Sequence, residues 1–167
     1  MRGELRRDVN VVPRVAVGLD TPLLVVPLGT TPNQQKLVVR ATSFSSAPVS
    51  GTLRLRLPQG WTSTPAEAPF TLKANGDKTS TPFVVSAPAR RTAGRLEIAA
   101  EATAGGSTFS RDVQVVSYPH IQTHRLYWPA TTTAQVFDLK VAPVKVGLHH
   151  GQRRRGGRRR FAAWAST

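Results

Sequence analysis

From position 50 the chain runs Ser50-Gly51-Thr52-Leu53-Arg54-Leu55-Arg56-Leu57. Leucines fall on every second position, with arginines between them. A period of two is the mark of a β-strand with one wetted face: the leucines point into a core and the arginines into water. A helix would scatter the same leucines around its axis.

The same texture extends outward. Pro58-Gln59-Gly60 turns the chain. Arg95 to Thr103 alternates again, with Leu96, Ile98, Ala100 and Ala102 inward against Arg95, Glu97 and Glu101. Gly105-Gly106 then predicts a hairpin into Thr108–Ser117, with Phe109, Val113 and Val115 inward. Phe70 and Leu72 form a short inward pair, Asn75-Gly76 is a turn, and Thr81 to Ala87 is a further strand. Upstream, Gln35 to Phe44 reads as a strand, as does Val11 to Leu19, which Pro13 starts. Leu23 to Val26 lies between Pro22 and Pro27 and is expected at a sheet edge, because proline cannot donate to a central ladder. No window repeats apolar residues at helical spacing.

The expected fold class is therefore all-β, an antiparallel β-sandwich of seven to eight strands, with a closed barrel as the alternative architecture. The expected organisation is an extension with edge strands over 1–34, a sandwich core over 35–117, and a linker with an extra strand over 118–146. An Arg-rich tail follows over 147–167. Tyr118 to Gln135, with two prolines and the run Thr131-Thr132-Thr133, reads as a linker or covering loop. Val136 to Val146 resembles one more strand, with Phe137, Leu139 and Val141 on one face.

Pro48-Val49-Ser50-Gly51, Leu57-Pro58-Gln59-Gly60-Trp61, Phe70 with Leu72, the Thr79–Pro88 strand and the final hairpin together resemble a known module. From about Lys36 to Val116 the chain is similar to the NEW3 domain, an immunoglobulin-like module associated with bacterial α-galactosidases and other carbohydrate-active proteins. Three further segments resemble the region after the catalytic domain of large bacterial PIG-L (LmbE-like) deacetylases. They are Val12-Pro13-Arg14-Val15-Ala16-Val17, Tyr118-Pro119-His120-Ile121-Gln122 and Asp138 to Val146. The resemblance implies a zinc-dependent N-acetylglucosamine-type deacetylase as the parent. The zinc motif of those enzymes, Ala-His-Pro-Asp-Asp, is absent from this sequence, so their catalysis does not transfer. The run Arg153-Arg154-Arg155-Gly156-Gly157-Arg158-Arg159-Arg160 departs from both families and reads as a frameshifted end, a solvated basic tail or an arm for nucleic acid or an anionic surface, in each case disordered.

Of the +14 formal charge, +6 sits in residues 151–167, which hold no acid, and +8 in the rest. A nucleic-acid binder with a uniformly basic face would be charged differently. There is no cysteine, which removes disulfides, thiolate metal sites and cysteine nucleophiles. No apolar run is long enough to span a membrane as a helix. The segment MRGELRRDVNVVPRV lacks the apolar stretch of a secretory signal. The expectation is thus an extracellular or periplasmic place within an exported parent, and a cytoplasmic one for a chain made alone.

The chemistry-bearing residues are sparse. His120 and His124 are spaced like half of a metal site, but zinc needs three or four ligands and no further one lies nearby. They are read as linker histidines. Glycoside hydrolysis needs two carboxylates facing one bond, and Glu97 with Glu101 lie on what is expected to be a solvated sheet face. No nucleophile elbow, phosphate loop or dinucleotide fingerprint occurs. The arginines at 54, 56, 90, 91, 95 and 111 are expected on an exposed face, without the interleaved aromatics that nucleic-acid grooves use.

No catalytic, cofactor or metal residue is assigned. Trp61, after a turn, is expected to plug the end of the core, with a sugar-stacking role as the alternative. Tyr127 and Trp128 are the better surface candidates for a ligand or a neighbouring domain. The expected function is a non-catalytic accessory module that packs against a catalytic domain, with weak glycan contact. The alternatives are a fragment of a deacetylase and a nucleic-acid binder acting through the Arg-rich tail.

Overall fold

The computed structural model describes residues 11–29, 33–120 and 122–140. Their regular structure is entirely β. In chain order the strands are β1 (Val15–Leu19), β2 (Leu23–Pro27), β3 (Asn33–Ser43), β4 (Val49–Arg56), β5 (Thr62–Thr64) and β6 (Glu67–Leu72). They continue with β7 (Lys78–Ala87), β8 (Gly94–Ala104), β9 (Ser107–Phe109), β10 (Arg111–Val116), β11 (His124–Pro129) and β12 (Thr131–Phe137).

Two sheets make the sandwich. One has the order β1-β3-β7-β5 and is antiparallel throughout. The other has the order β2-β12-β8-β4-β6, with β9 also paired to β8. The alternation in the sequence is what closes them on one another. Leu53, Leu55, Ile98, Ala100, Ala102, Phe70 and Leu72 bury from the second sheet, and Val17, Leu37, Val39, Phe83 and Val85 from the first. Phe83 is wholly buried. The sandwich thus prevails over the barrel.

β2 is an edge strand as expected, paired parallel to β12. Its end is capped by a side chain: Arg91 donates from Nε and Nη2 to the Pro27 carbonyl (2.8 and 2.6 Å) and from Nη1 to that of Pro88 (2.6 Å). A capped, short edge is a poor template for further strands.

The count of strands is higher than the sequence suggests, and the strands after β8 fall differently along the chain. The predicted Thr108–Ser117 strand is cut at Ser110: β9 returns along β8 for three residues, and β10 then leaves to pair with β11. The predicted linker over 118–135 contains β11 and most of β12; the threonines of β12 are good strand formers, as are Tyr127 and Trp128 of β11. The extra strand expected over 136–146 lies earlier, at Thr131–Phe137, and is an inner strand of the second sheet between β2 and β8. Val141 to Val146 lie outside the described residues.

Val115, expected inward, is exposed. Glu101, expected in water, is only 6% exposed. Arg54 covers it from the neighbouring strand, donating from Nε and Nη2 to Oε2 at 3.0 and 2.8 Å, and Arg56 Nη1 lies 3.4 Å from Oε1. The alternation is intact; the polar face has folded its long arginines down over the carboxylate.

Candidate functional site

The residues that could make contacts fall at two separate places. The first is the β10–β11 hairpin. The chain leaves the sandwich at Ser110 and rejoins it at Ala130, whose N–H donates to the Ser110 carbonyl (2.9 Å) and whose carbonyl accepts from Ala100 (2.8 Å). β12 then takes over beside β8 at the point where β9 stops: β9 faces Ala102–Ala104, and Thr131 faces Ala99.

This two-stranded excursion is held against β1 and β3. Asp112 lies 3.6 Å from Arg40 Nη2, and Arg40 Nε is 2.8 Å from Asp20. Tyr127 donates its hydroxyl to the Val11 carbonyl at 2.8 Å. Across the ladder Asp112 faces Trp128, Val113 faces Tyr127 and Gln114 faces Leu126. Trp128 and Leu126, two residues apart, share a face and are 56% and 43% exposed. Val113 is buried but stands outside the sandwich's core cluster.

The histidines belong to the same excursion. His120 stacks on Tyr118, with ring centroids 6.1 Å apart, and His124 pairs with Val116. Among the described residues no group of three His, Cys, Asp or Glu side chains is placed to hold a metal ion.

The second place is the end of the sandwich where Trp61 sits. Trp61 is 7% exposed and joins the core cluster. Its N–H donates to the Pro58 carbonyl (3.1 Å), closing the turn in which Gly60 takes a positive φ of 80°. The turn faces the loop after β7 across a cleft of about 450 Å³ lined by Pro58, Gln59, Trp61, Pro88, Arg90, Arg91, Thr92 and Leu96. Trp61 and Trp128 do not converge. Along the first sheet, Arg40 pairs with Ser80, whereas Thr62 pairs with Ser86. That is about 20 Å of strand at ~3.3 Å per residue.

The arginines expected on one exposed sheet face are spread over several elements. Arg54, Arg56 and Arg95 lie on the second sheet, Arg90 and Arg91 in a loop, and Arg111 on the hairpin. Nothing in the sequence signals the cleft, because its walls come from two loops joined only by the fold.

Residues 30–105 match the family model of the NPCBM-associated, NEW3 domain of alpha-galactosidase. This is an accessory domain associated with that enzyme. The NEW3 match takes in β3 to β8 and stops at Gly105, so the β10–β11 hairpin lies beyond it, as do β1, β2 and β12.

Solved structures are only distantly similar. Native E. coli alpha-2-macroglobulin shares 14% identity at a TM-score of 0.42, over 75% of this chain and 7% of that one. PapD-like domain 7 of human CEP192 shares 12% at 0.40, over 83% and 96%. A chain of the Salmonella enterica SafA pilin–SafB chaperone complex shares 12% at 0.35, over 76% and 56%. No curated protein matches the chain.

Proposed function

We propose that this chain is a non-catalytic accessory module of a bacterial carbohydrate-active protein, and that it packs against or orients a catalytic domain through the β10–β11 hairpin. The observation that carries the reading is the exposed Trp128–Leu126 face. The sandwich buries most of its apolar residues in one core cluster and leaves Leu23, Val25 and Val84 exposed along its strands, whereas this hairpin turns a tryptophan and a leucine to solvent on one shared face. Large aromatic side chains that are set in a tied-down scaffold and left exposed are the usual anchors of protein interfaces. The match to an accessory domain supports the same role. The hairpin's position outside the matched segment suits an element that adapts a common sandwich to one partner.

The partner domain we favour is that of a PIG-L-type deacetylase. The segments similar to such proteins, 12–17, 118–122 and 138–146, flank the matched domain on both sides. That parent would place the module outside the cytoplasm. Tyr127 and Trp128 would add weak stacking to a glycan near the docked enzyme.

The test is a titration of the full chain with the catalytic domain encoded beside it, followed by calorimetry. Trp128→Ala and Leu126→Ser should each weaken association about tenfold or more. Unchanged affinity in both variants would refute docking through this face. Glycan binding lost in Trp128→Ala, without association to the catalytic domain, would favour a carbohydrate module instead.

A further inference from the structure

The cleft beside Trp61 has the chemistry of an anion site. Its lining residues include four with donor side chains, Arg90, Arg91, Gln59 and Thr92, and none with a carboxylate. Arg91 is fixed to the carbonyls of Pro27 and Pro88, so its positive charge forms a rigid part of the wall. Arg90 is exposed and makes no hydrogen bond or ion pair among the described residues.

The indole N–H of Trp61 likewise has no partner among the described residues. It is also not one of the sealed, unpaired polar atoms, which among the described residues are Arg125 Nε and Thr132 Oγ1. The small exposed part of Trp61 therefore includes its donor, which a ligand acceptor could satisfy. Pro58, Pro88 and Leu96 supply apolar walls, and a volume of about 450 Å³ admits a ring with substituents.

We propose that this cleft binds a small carboxylate carried on a six-membered ring. The carboxylate meets Arg90 and the Trp61 N–H, while the ring rests between the two prolines and Leu96. A guanidinium and a neutral N–H from residues lining one cleft can offer a single anion the short, charge-assisted bonds that select carboxylates over neutral hydroxyls. The site lies at the opposite end of the first sheet from the hairpin and does not depend on docking there.

The test follows the Trp61 indole signal by ¹H–¹⁵N NMR in a Trp128→Phe/Trp164→Phe variant, where it stands alone. The probes are benzoate, glucuronate, glucose and inorganic phosphate. Benzoate or glucuronate should move the signal saturably and glucose should not; which of the two acts distinguishes an aromatic acid from a sugar acid. Arg90→Gln, a change at an exposed position, should weaken the response about tenfold with the rest of the spectrum unchanged. The proposal falls if neither acid moves the signal at tens of millimolar, if glucose acts equally, or if phosphate alone acts. It also falls if Arg90→Gln binds as before.

Discussion

A β-carbon on Gly18 would occupy the space of the Asp112 carboxylate. Strand β1 omits a side chain there, and β10 lies against it. The backbone conformation does not demand glycine at this position; only the neighbour's approach does. Gly18→Ala should therefore push Asp112 aside, loosen its contact with Arg40 and cost about 1–2 kcal/mol by overpacking. In the double variant Gly18→Ala/Asp112→Ala the collision is gone. Its loss of stability in urea should be smaller than the sum of the two single losses, and simple additivity would show that the two residues do not touch in solution.

Glu101 gives a second test on the opposite side of the molecule. It is buried beneath Arg54 and Arg56, whereas Glu97, on the same strand and face, is exposed. Glu101→Ala removes the acceptor of three hydrogen bonds from two arginines whose side chains are 48% and 72% exposed. Water can solvate the released guanidinium groups, so the cost should stay near 1–2 kcal/mol. Glu97→Ala should change stability by less than about 0.5 kcal/mol. Equal effects in thermal denaturation would mean that the arginines do not close over Glu101.

The same pair shows what sequence can and cannot give. Leu53, Leu55, Ile98 and Ala100 were legible because alternation is a local signal that the backbone must obey. That alternation says which side of the sheet Glu101 faces; it is silent on how far an arginine on the next strand reaches. β11 was missed for a related reason. Leu126, Tyr127 and Trp128 do not alternate, because neither face of that short hairpin enters the common core. Trp61 and the pair Tyr127 and Trp128 could be singled out as large aromatic side chains beside turns. Their distance from one another, and the cleft that Trp61 shares with Arg90 and Pro88, depend on loops that meet only after both sheets have closed.

The two tryptophans should separate cleanly in stability measurements. Trp61→Ala empties a buried position at the end of the core and should cost about 3–5 kcal/mol. Trp128→Ala trims a side chain already more than half in water and should stay within about 1 kcal/mol. Denaturant midpoints with unchanged m-values would check both. A large loss for Trp128→Ala would mean that the hairpin's exposed face is part of the fold and not a surface kept for a partner.

Gly51 makes the sharpest demand on close packing. A β-carbon there would run into the Thr103 carbonyl on β8 and lie 3.0 Å from both the Ala104 β-carbon and the Phe70 ring. Unlike the Asp112 carboxylate beside Gly18, a carbonyl within a paired strand cannot rotate away. It can yield only if β4 and β8 part, which breaks the ladder that starts at Thr52 and Thr103. Gly51→Ala should therefore cost more than Gly18→Ala, about 3 kcal/mol, the upper end of overpacking penalties. It should also speed amide exchange at Leu53 and Leu55 on β4. If the two alanine variants unfold at the same denaturant concentration, the β4–β8 approach in solution is wider than the structure places it.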